Sequence, residues 1–446
     1  MNPPKVCLVA PGWLPVPATG GGAVESLMTT IAECNERFGL LDLTVVTRMD
    51  EASSHAAARF GTTRFVPIAD AARPVAFWDH WYGALTRRII PGYVPSNSYQ
   101  RNVARLIDPA DFDAIVLEAG PLPVPNVTAK RFSDRLWYHL HHVIDAPVAN
   151  NAYRHVIGVS DFACDRFRSL CRNVDGLAPD VTTVRNGIDL SRFSALATRS
   201  KAAFDSRRQV RQQLGFDQRD CVVMYCGRLI EEKGVRELLQ AMTMLDGTCV
   251  GSSADDAAIR LMVVGSSDFA PSTATAYTRQ LDALARRLGR RVAFTGFVPN
   301  DRLWRYAAAA DMQVVPSMFE DAAPTVCMEA VASGLPLVVT RSGGIGEYVS
   351  AQCALTIPRS GDVAAHLARA LADLAADPHR RATMGAAALV RAQDFSRERF
   401  YHRFADALRQ GCERQSDRSQ PDRPQSYRSQ PTQPAMRSAV QSEGRQ

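Results

Sequence analysis

Residues 316–347 read PSMFEDAAPTVCMEAVASGLPLVVTRSGGIGE. Asp321 and Glu329 stand eight positions apart, the first in a loop and the second in a helix that the Met328-Glu329-Ala330-Val331 run predicts. A short approach containing Pro324 and Thr325 leads into that helix. A carboxylate at Glu329 can accept hydrogen bonds from two vicinal hydroxyls, such as those of a ribose. Asp321, on the loop, could hold a second polyol at the same mouth. Two acids so placed suit a ligand with two sugar rings, and a nucleotide sugar has two.

Working outward, the same stretch lies inside a series of short apolar runs separated by helical patterns. Runs at 221–225, 261–264, 292–294, 312–315 and 336–340 predict one set of strands. An earlier set falls at Val6–Ala10, Leu43–Thr47, Ala114–Leu117, Leu136–Leu140 and Val156–Val159, with a helix predicted over Ala23–Arg37. Strands that alternate with helices imply parallel sheets covered on both faces. The expected fold is therefore α/β, with two Rossmann-like doubly wound domains facing across a cleft, where ligands of such sheets bind. The expected boundaries are 1–190 and 191–394. Polar, basic residues from Ser194 to Ser206 read as hinge and linker. Residues 395–410 read as a helix, and 411–446 as a polar tail with six arginines, expected to be disordered.

Composition narrows the function. Of 446 residues, 46% are hydrophobic and 22% charged, the balance of a globular protein. A net charge of +6 is small for this length and argues only weakly for anionic partners. No basic stripe with interleaved aromatics appears, so nucleic acid is not expected as a partner. Ten cysteines are scattered without C-x-x-C pairs, as in a reduced, cytosolic protein. No apolar run reaches the ~18 residues of a membrane span, and the N-terminus reads as a first strand rather than a signal segment.

Several residues carry chemistry by type and place. Arg228 and Lys233 follow a strand and precede a helix, where backbone N–H groups and the helix dipole add to their charge. Such a loop suits a diphosphate; the plainer reading is a pair of surface cations. Gly20, Gly21 and Gly22 also precede a helix, and glycines there let a ligand approach the backbone. No lysine stands at P-loop spacing, which excludes an ATPase of that type. Trp137-Tyr138-His139-Leu140-His141-His142 ends a strand, so its histidines alternate faces and one or two should open into the cleft. A metal cluster or a packed core histidine are the other readings, and no carboxylate has the spacing to complete a metal site. Asp111-Phe112-Asp113 reads as a turn before a strand. Phe77, Trp78, Trp81 and Leu85 with Arg87 and Arg88 read as a docked surface helix, with peripheral membrane contact left open.

Taken together, these motifs resemble those of the retaining glycosyltransferases of family GT4, which have the GT-B architecture. Asp321 to Glu329 resembles the E-x7-E signature as D-x7-E, with Glu320 beside the changed acid. Gly227-Arg228 with Lys233-Gly234 is similar to the donor-diphosphate motif G-R-x4-K-G. Asn186-Gly187-Ile188-Asp189 resembles the interdomain N-G-I/V-D, and Gly20 to Gly22 the N-terminal glycine loop. Thr295-Gly296-Phe297-Val298 is similar to the loop along the nucleobase, and Gly343-Gly344 with Glu347 to the G-G-x-x-E element. The resemblance runs to about Arg409, and a chance match of five motifs in order is far harder than of one.

The resemblance implies a cytoplasmic, metal-independent, retaining transferase with no cofactor. Its donor would be a nucleotide diphosphate sugar, and its acceptor a hydroxyl on a glycan or lipid-linked saccharide. Arg228, Lys233 and the glycine loop would hold the diphosphate, Glu329 the ribose and Asp321 the transferred sugar. His141, with His139 as second choice, would stand near the reacting carbon. Backbone of Ala322, Ala323, Pro324 and Thr325 would meet sugar hydroxyls. A non-catalytic nucleotide-sugar-binding scaffold and a nucleotide-sugar 2-epimerase are the rival readings.

Overall fold

The apolar runs resolve into two largely parallel sheets. The computed structural model describes residues 2–20, 22–68, 97–119, 128, 131–145, 148–149, 153–172, 179–245, 249–250, 257–266 and 275–419. In the first half the strands are β1 (Lys5–Val9), β2 (Asp42–Thr47), β3 (Arg64–Pro67), β4 (Ala114–Glu118), β5 (Leu136–Leu140), β6 (Val148–Ala149), β7 (His155–Gly158), β8 (Cys171–Arg172) and β9 (Asp180–Thr183). The second half adds β10 (Cys221–Cys226), β11 (Cys249–Val250), β12 (Ala257–Val264), β13 (Val292–Gly296), β14 (Met312–Val315), β15 (Leu337–Thr340) and β16 (Ala354–Ile357).

The first sheet has the order β3-β2-β1-β4-β5-β7-β9, parallel throughout. The second runs β11-β12-β10-β14-β15-β16, with β13 also paired to β12 and β11 alone antiparallel. Both faces of the first sheet are covered, which is why β1 reads as an unbroken apolar run. Val6 and Leu8 pack on one side and Cys7 and Val9 on the other, as the two-residue pleat requires.

Six helices matter to the site: α1 (Ala23–Phe38), α2 (Asp161–Leu170), α3 (Lys201–Leu214), α4 (Val235–Met244), α5 (Thr325–Ala332) and α6 (Arg397–Ser419). Helix α6 follows the second sheet in the chain yet packs on the first, burying Phe400, Tyr401, Phe404 and Leu408 with Met28 and Ile31 of α1. Leu40 N donates to Tyr401 Oη at 3.1 Å, and the same hydroxyl bonds Asn35.

Two expectations are corrected. The stretch Ser194 to Ser206 is not an open linker: helices occupy Ser194–Ala197 and the start of α3. Helix α3 is anchored by the fully buried Arg211, which bonds Asp311 at 2.7 Å and the carbonyls of Ala309 and Asp220. The polar tail begins later than expected, because α6 continues to Ser419. Gly411 explains the extension: a Cβ there would lie 2.1 Å from the Trp137 ring, so only glycine lets the helix pass that close. Residues 420–446 lie outside the described residues, as do Gly21 and the Phe77–Arg88 aromatic and basic patch.

Candidate active site

The loop after β10 and the loop after β14 meet, and glycine makes the meeting feasible. Gly234, with φ +72°, starts α4; a Cβ on it would sit 1.9 Å from the carbonyl oxygen of Pro316. Met318 N also donates to Glu232 O at 2.8 Å. Lys233, one residue earlier, extends its Nζ to 2.6 Å from Asp321 Oδ2 and lies 4.6 Å from the Phe319 ring centroid. The cation of one motif and the acid of the other are thus brought together. Arg228 shares the β10 loop, its carbonyl accepting from Tyr225 Oη at 2.7 Å.

Asp321 is itself held by its backbone. Gly344 N donates to Asp321 O at 2.8 Å. A Cβ on Gly343 would stand 2.3 Å from that oxygen, and one on Gly344 would meet Ala322 O at 2.2 Å. Ala322 packs into the apolar cluster of the first sheet with Leu140, Ile144 and Val159, so this loop seals against the opposite half. Pro324 precedes the first residue of α5, Thr325. The Glu320 carboxylate bonds Arg359 and the backbone N–H of Gly343.

Glu329, in the second turn of α5, is buried with little beside it to stabilise a charge. Desolvation raises its pKa to about 7, opposed only by Arg192. Its field reaches Cys226 at the end of β10, so the carboxyl stands next to the strand that delivers Arg228.

The glycine loop differs from expectation. Gly22 has φ +91°, and a Cβ there would lie 2.2 Å from Glu25 Oε2. The Glu25 carboxyl is buried, takes its own backbone N–H and that of Leu14, and is pushed up in pKa by desolvation. The first-turn amide of α1 therefore faces a carboxyl of its own chain rather than an open anion site. A Cβ on Gly20 would meet nothing within 4 Å. Val298 lies beyond β13 against the cluster that contains Val222 and Met262.

The histidines gain a partner that spacing did not reveal. In the β4–β5 register Glu118 stands opposite His139. Its Oε2 lies 2.8 Å from His139 Nδ1 and 2.8 Å from His141 Nε2. The expectation that no carboxylate accompanies them is thus corrected, and the three groups are close enough to ligate one cation. Burial would raise the Glu118 pKa, but the two imidazoles win and hold it down at about 2. Burial and the neighbouring His139 lower that of His141 to about 4. The D-x-D acids serve structure: Asp111 ends a short helical turn and Asp113 Oδ2 accepts from Lys5 N at 2.8 Å.

Asn186 sits at the crossing between the halves. Its N–H donates to Tyr348 Oη at 3.2 Å, while Tyr348 Oη donates to Val159 O at 2.5 Å. Ile188 N donates to Phe395 O at 2.8 Å, where the chain returns toward α6.

Residues 206–391 match the family Glycosyl transferases group 1. Over that stretch the chain is similar to this family. Every described motif from Arg228 to Gly344 lies within the matched stretch. Among curated proteins, a GDP-mannose-dependent monoacylated alpha-(1-6)-phosphatidylinositol monomannoside mannosyltransferase of Corynebacterium glutamicum is 29% identical over 235 residues, 51% of this chain and 55% of that protein. A GDP-mannose-dependent alpha-(1-6)-phosphatidylinositol monomannoside mannosyltransferase of Mycolicibacterium smegmatis is 29% identical over 311 residues, 66% of this chain and 75% of that protein. The first of these matches spans little more than half of its relative. Among solved structures, Anabaena Alr3699/HepE in complex with UDP-glucose superposes with a TM-score of 0.65 at 20% identity, covering 91% of this chain and all of that one. WaaG, a glycosyltransferase involved in lipopolysaccharide biosynthesis, gives a TM-score of 0.59 at 17% identity, over 91% of this chain and 99% of that one. The fold is GT-B.

Glu347 reaches across to the first half. Its carboxylate accepts from Asp161 N and Phe162 N, both at 2.8 Å, capping α2, and also pairs with Arg185 at 2.7 Å. Sequence reasoning placed Glu347 in a glycine turn but missed this bridge, as it missed Glu118, Glu25 and Arg359. An acid ending the apolar run Ala-Ile-Val-Leu-Glu was the available signal for Glu118.

Proposed function

We propose that the chain transfers a sugar from a nucleotide diphosphate sugar to a hydroxyl acceptor, with retention at the anomeric carbon and without a metal ion. One observation carries the reading: Lys233 Nζ lies 2.6 Å from Asp321 Oδ2, at a mouth closed by the Gly343-Gly344 turn. A lysine poised at a helix start can exchange that carboxylate for an incoming phosphate, and Arg228 supplies a second cation in the same loop.

In this reading Glu329 accepts from the ribose hydroxyls, and Asp321 with the Ala322–Thr325 backbone takes the sugar. Val298 flanks the base and His141 stands near the reacting carbon. The anomeric carbon–oxygen bond to the diphosphate breaks as the acceptor oxygen attacks from the same face. The acceptor's proton passes to the departing phosphate oxygen. Charge building on that phosphate is what the two cations stabilise. A glycan or lipid-linked saccharide at the cytoplasmic face of a membrane is the acceptor class we favour. Among the described residues no helix is long and apolar enough to cross a membrane.

The test is thermal stability and turnover with UDP-, GDP- and ADP-sugars in the presence of a chelator. Glycosyl transfer from one donor class, with a thermal shift that Glu329→Ala removes, supports the reading. Binding without turnover across the panel favours a non-catalytic scaffold, and no binding overturns both.

A further inference from the structure

The Glu118 cluster is more constrained than a packed pair of histidines needs to be. Both imidazoles address the same oxygen, Oε2, at 2.8 Å, and their rings lie 4.0 Å apart. Glu118 and His139 are fully buried, whereas the His141 side chain keeps 9% of its surface. Among the described residues, Glu118 Oε1 and His139 Nε2 have no hydrogen-bond partner. An ionised carboxylate only accepts hydrogen bonds. Each nitrogen facing Oε2 must therefore carry the hydrogen. For His141 that nitrogen is Nε2, 2.8 Å from the oxygen. On a neutral ring the remaining nitrogen, Nδ1, is then a bare acceptor.

We propose that Glu118 is a positioning residue that locks His141 in its Nε2–H tautomer, so that Nδ1 meets the donor sugar as an acceptor and selects a hydroxyl there over a carboxylate. The proposal rests on the glycosyl-transfer reading. A hydroxyl can donate to the bare nitrogen. A carboxylate at the same place would find a lone pair, with the buried charge of Glu118 behind it, and no hydrogen to accept. Neutral hexoses are therefore the favoured donor class and glycuronates the disfavoured one. Hydrogen bonding that merely stiffened the strand end would fix neither the tautomer nor this preference.

The experiment uses the full chain labelled with nitrogen-15 histidine, nine residues in all, with His141 assigned by the loss of its signals in His141→Gln. At neutral pH the His141 spectrum should show a protonated Nε2 and an unprotonated Nδ1. In Glu118→Leu no acceptor is left for either ring, so the His141 tautomer should shift. With the wild type, transfer from UDP-glucose should exceed that from UDP-glucuronate, or from GDP-mannose that from GDP-mannuronate. The variant should lose about tenfold in kcat/KM for the neutral sugar, the scale of one hydrogen bond, and its discrimination should narrow. Should Glu118→Leu fail to fold, the wild-type spectrum alone decides the lock. A protonated Nδ1 in the wild type, or a variant with unchanged tautomer and discrimination, overturns the proposal. So does one equivalent of zinc binding through these histidines, which would make the cluster a metal site. If the wild type transfers none of these sugars, the functional reading fails on its own, while the spectrum still reports whether Glu118 sets the tautomer.

Discussion

Lys233 Nζ and Asp321 Oδ2 are 2.6 Å apart although 88 residues separate them in the chain. The side chains keep 22% and 12% of their surface, so the pair is reachable by a ligand and screened by water. A pair of this kind contributes little to folding, about 0–1 kcal/mol. Its value lies in holding a cation at the mouth of the α4 loop. Lys233→Ala should therefore lower kcat/KM by about a hundredfold or more, with a melting temperature within a degree or two of wild type. Parallel kinetics and thermal unfolding check this; a large loss of stability without a catalytic loss would mark the pair as structural.

Glu329 gives a pH dependence of known sign. Its folded pKa is raised by burial from 4.5 to about 7, so the unfolded chain ionises this group first as pH rises. Its contribution to stability is most favourable below about 4.5 and falls as pH climbs through 7, where the buried charge must form. Ribose hydroxyls donate best to the ionised carboxylate, so donor binding should release a proton near pH 6 and weaken below it. Calorimetry in two buffers of different ionisation enthalpy measures that release. Glu329→Gln should abolish it; proton release that survives in Glu329→Gln would assign the effect to another group.

The sheets were legible because strands buried on both faces tend to be continuous apolar runs, as Val6 to Val9 of β1 and Cys221 to Cys226 of β10 are. The unread strands are explained by position. β3, β9 and β16 lie at sheet edges, where RFVP, DVTT and ALTI need not be apolar throughout. The site was legible where it lay within one motif, as with Asp321, Pro324 and Glu329. Glu118 was not, because its contact with His139 and His141 depends on the β4–β5 register rather than on spacing along the chain. Nor was Glu25, whose carboxyl folds back under Gly22, or the length of α6, which depends on Gly411 passing the Trp137 ring.

Glu347 links the halves through the amides of Asp161 and Phe162 and through Arg185. Arg185 also pairs with Asp161, so the bridge is a small network rather than a single contact. Removing the acceptor leaves the first amides of α2 to water and frees a cation at the seam. Glu347→Ala should cost about 1–3 kcal/mol at that contact. Amide hydrogen exchange should speed up at Asp161 and Phe162 while β1 and β10 stay protected, and small-angle scattering should show a larger radius. Unchanged exchange at those two amides would mean that the bridge does not hold α2.

Gly234 tests whether the two loops must touch. It combines φ +72° with a Cβ position 1.9 Å from Pro316 O, so alanine is opposed both by its own backbone preference and by a backbone atom that cannot rotate away. The strain has to be relieved by moving the α4 start away from the β14 loop, which carries Lys233 off Asp321. Gly234→Ala should thus cost about 1–3 kcal/mol and remove most donor binding together. Gly215 is the control: it too has positive φ, +70°, at the end of α3, but a Cβ there meets nothing within 4 Å. Gly215→Ala should lower stability through backbone strain alone and leave donor affinity intact. Donor titrations of the two variants followed by thermal unfolding separate the cases. Equal loss of donor affinity in both would show that stability, not the contact between loops, governs binding.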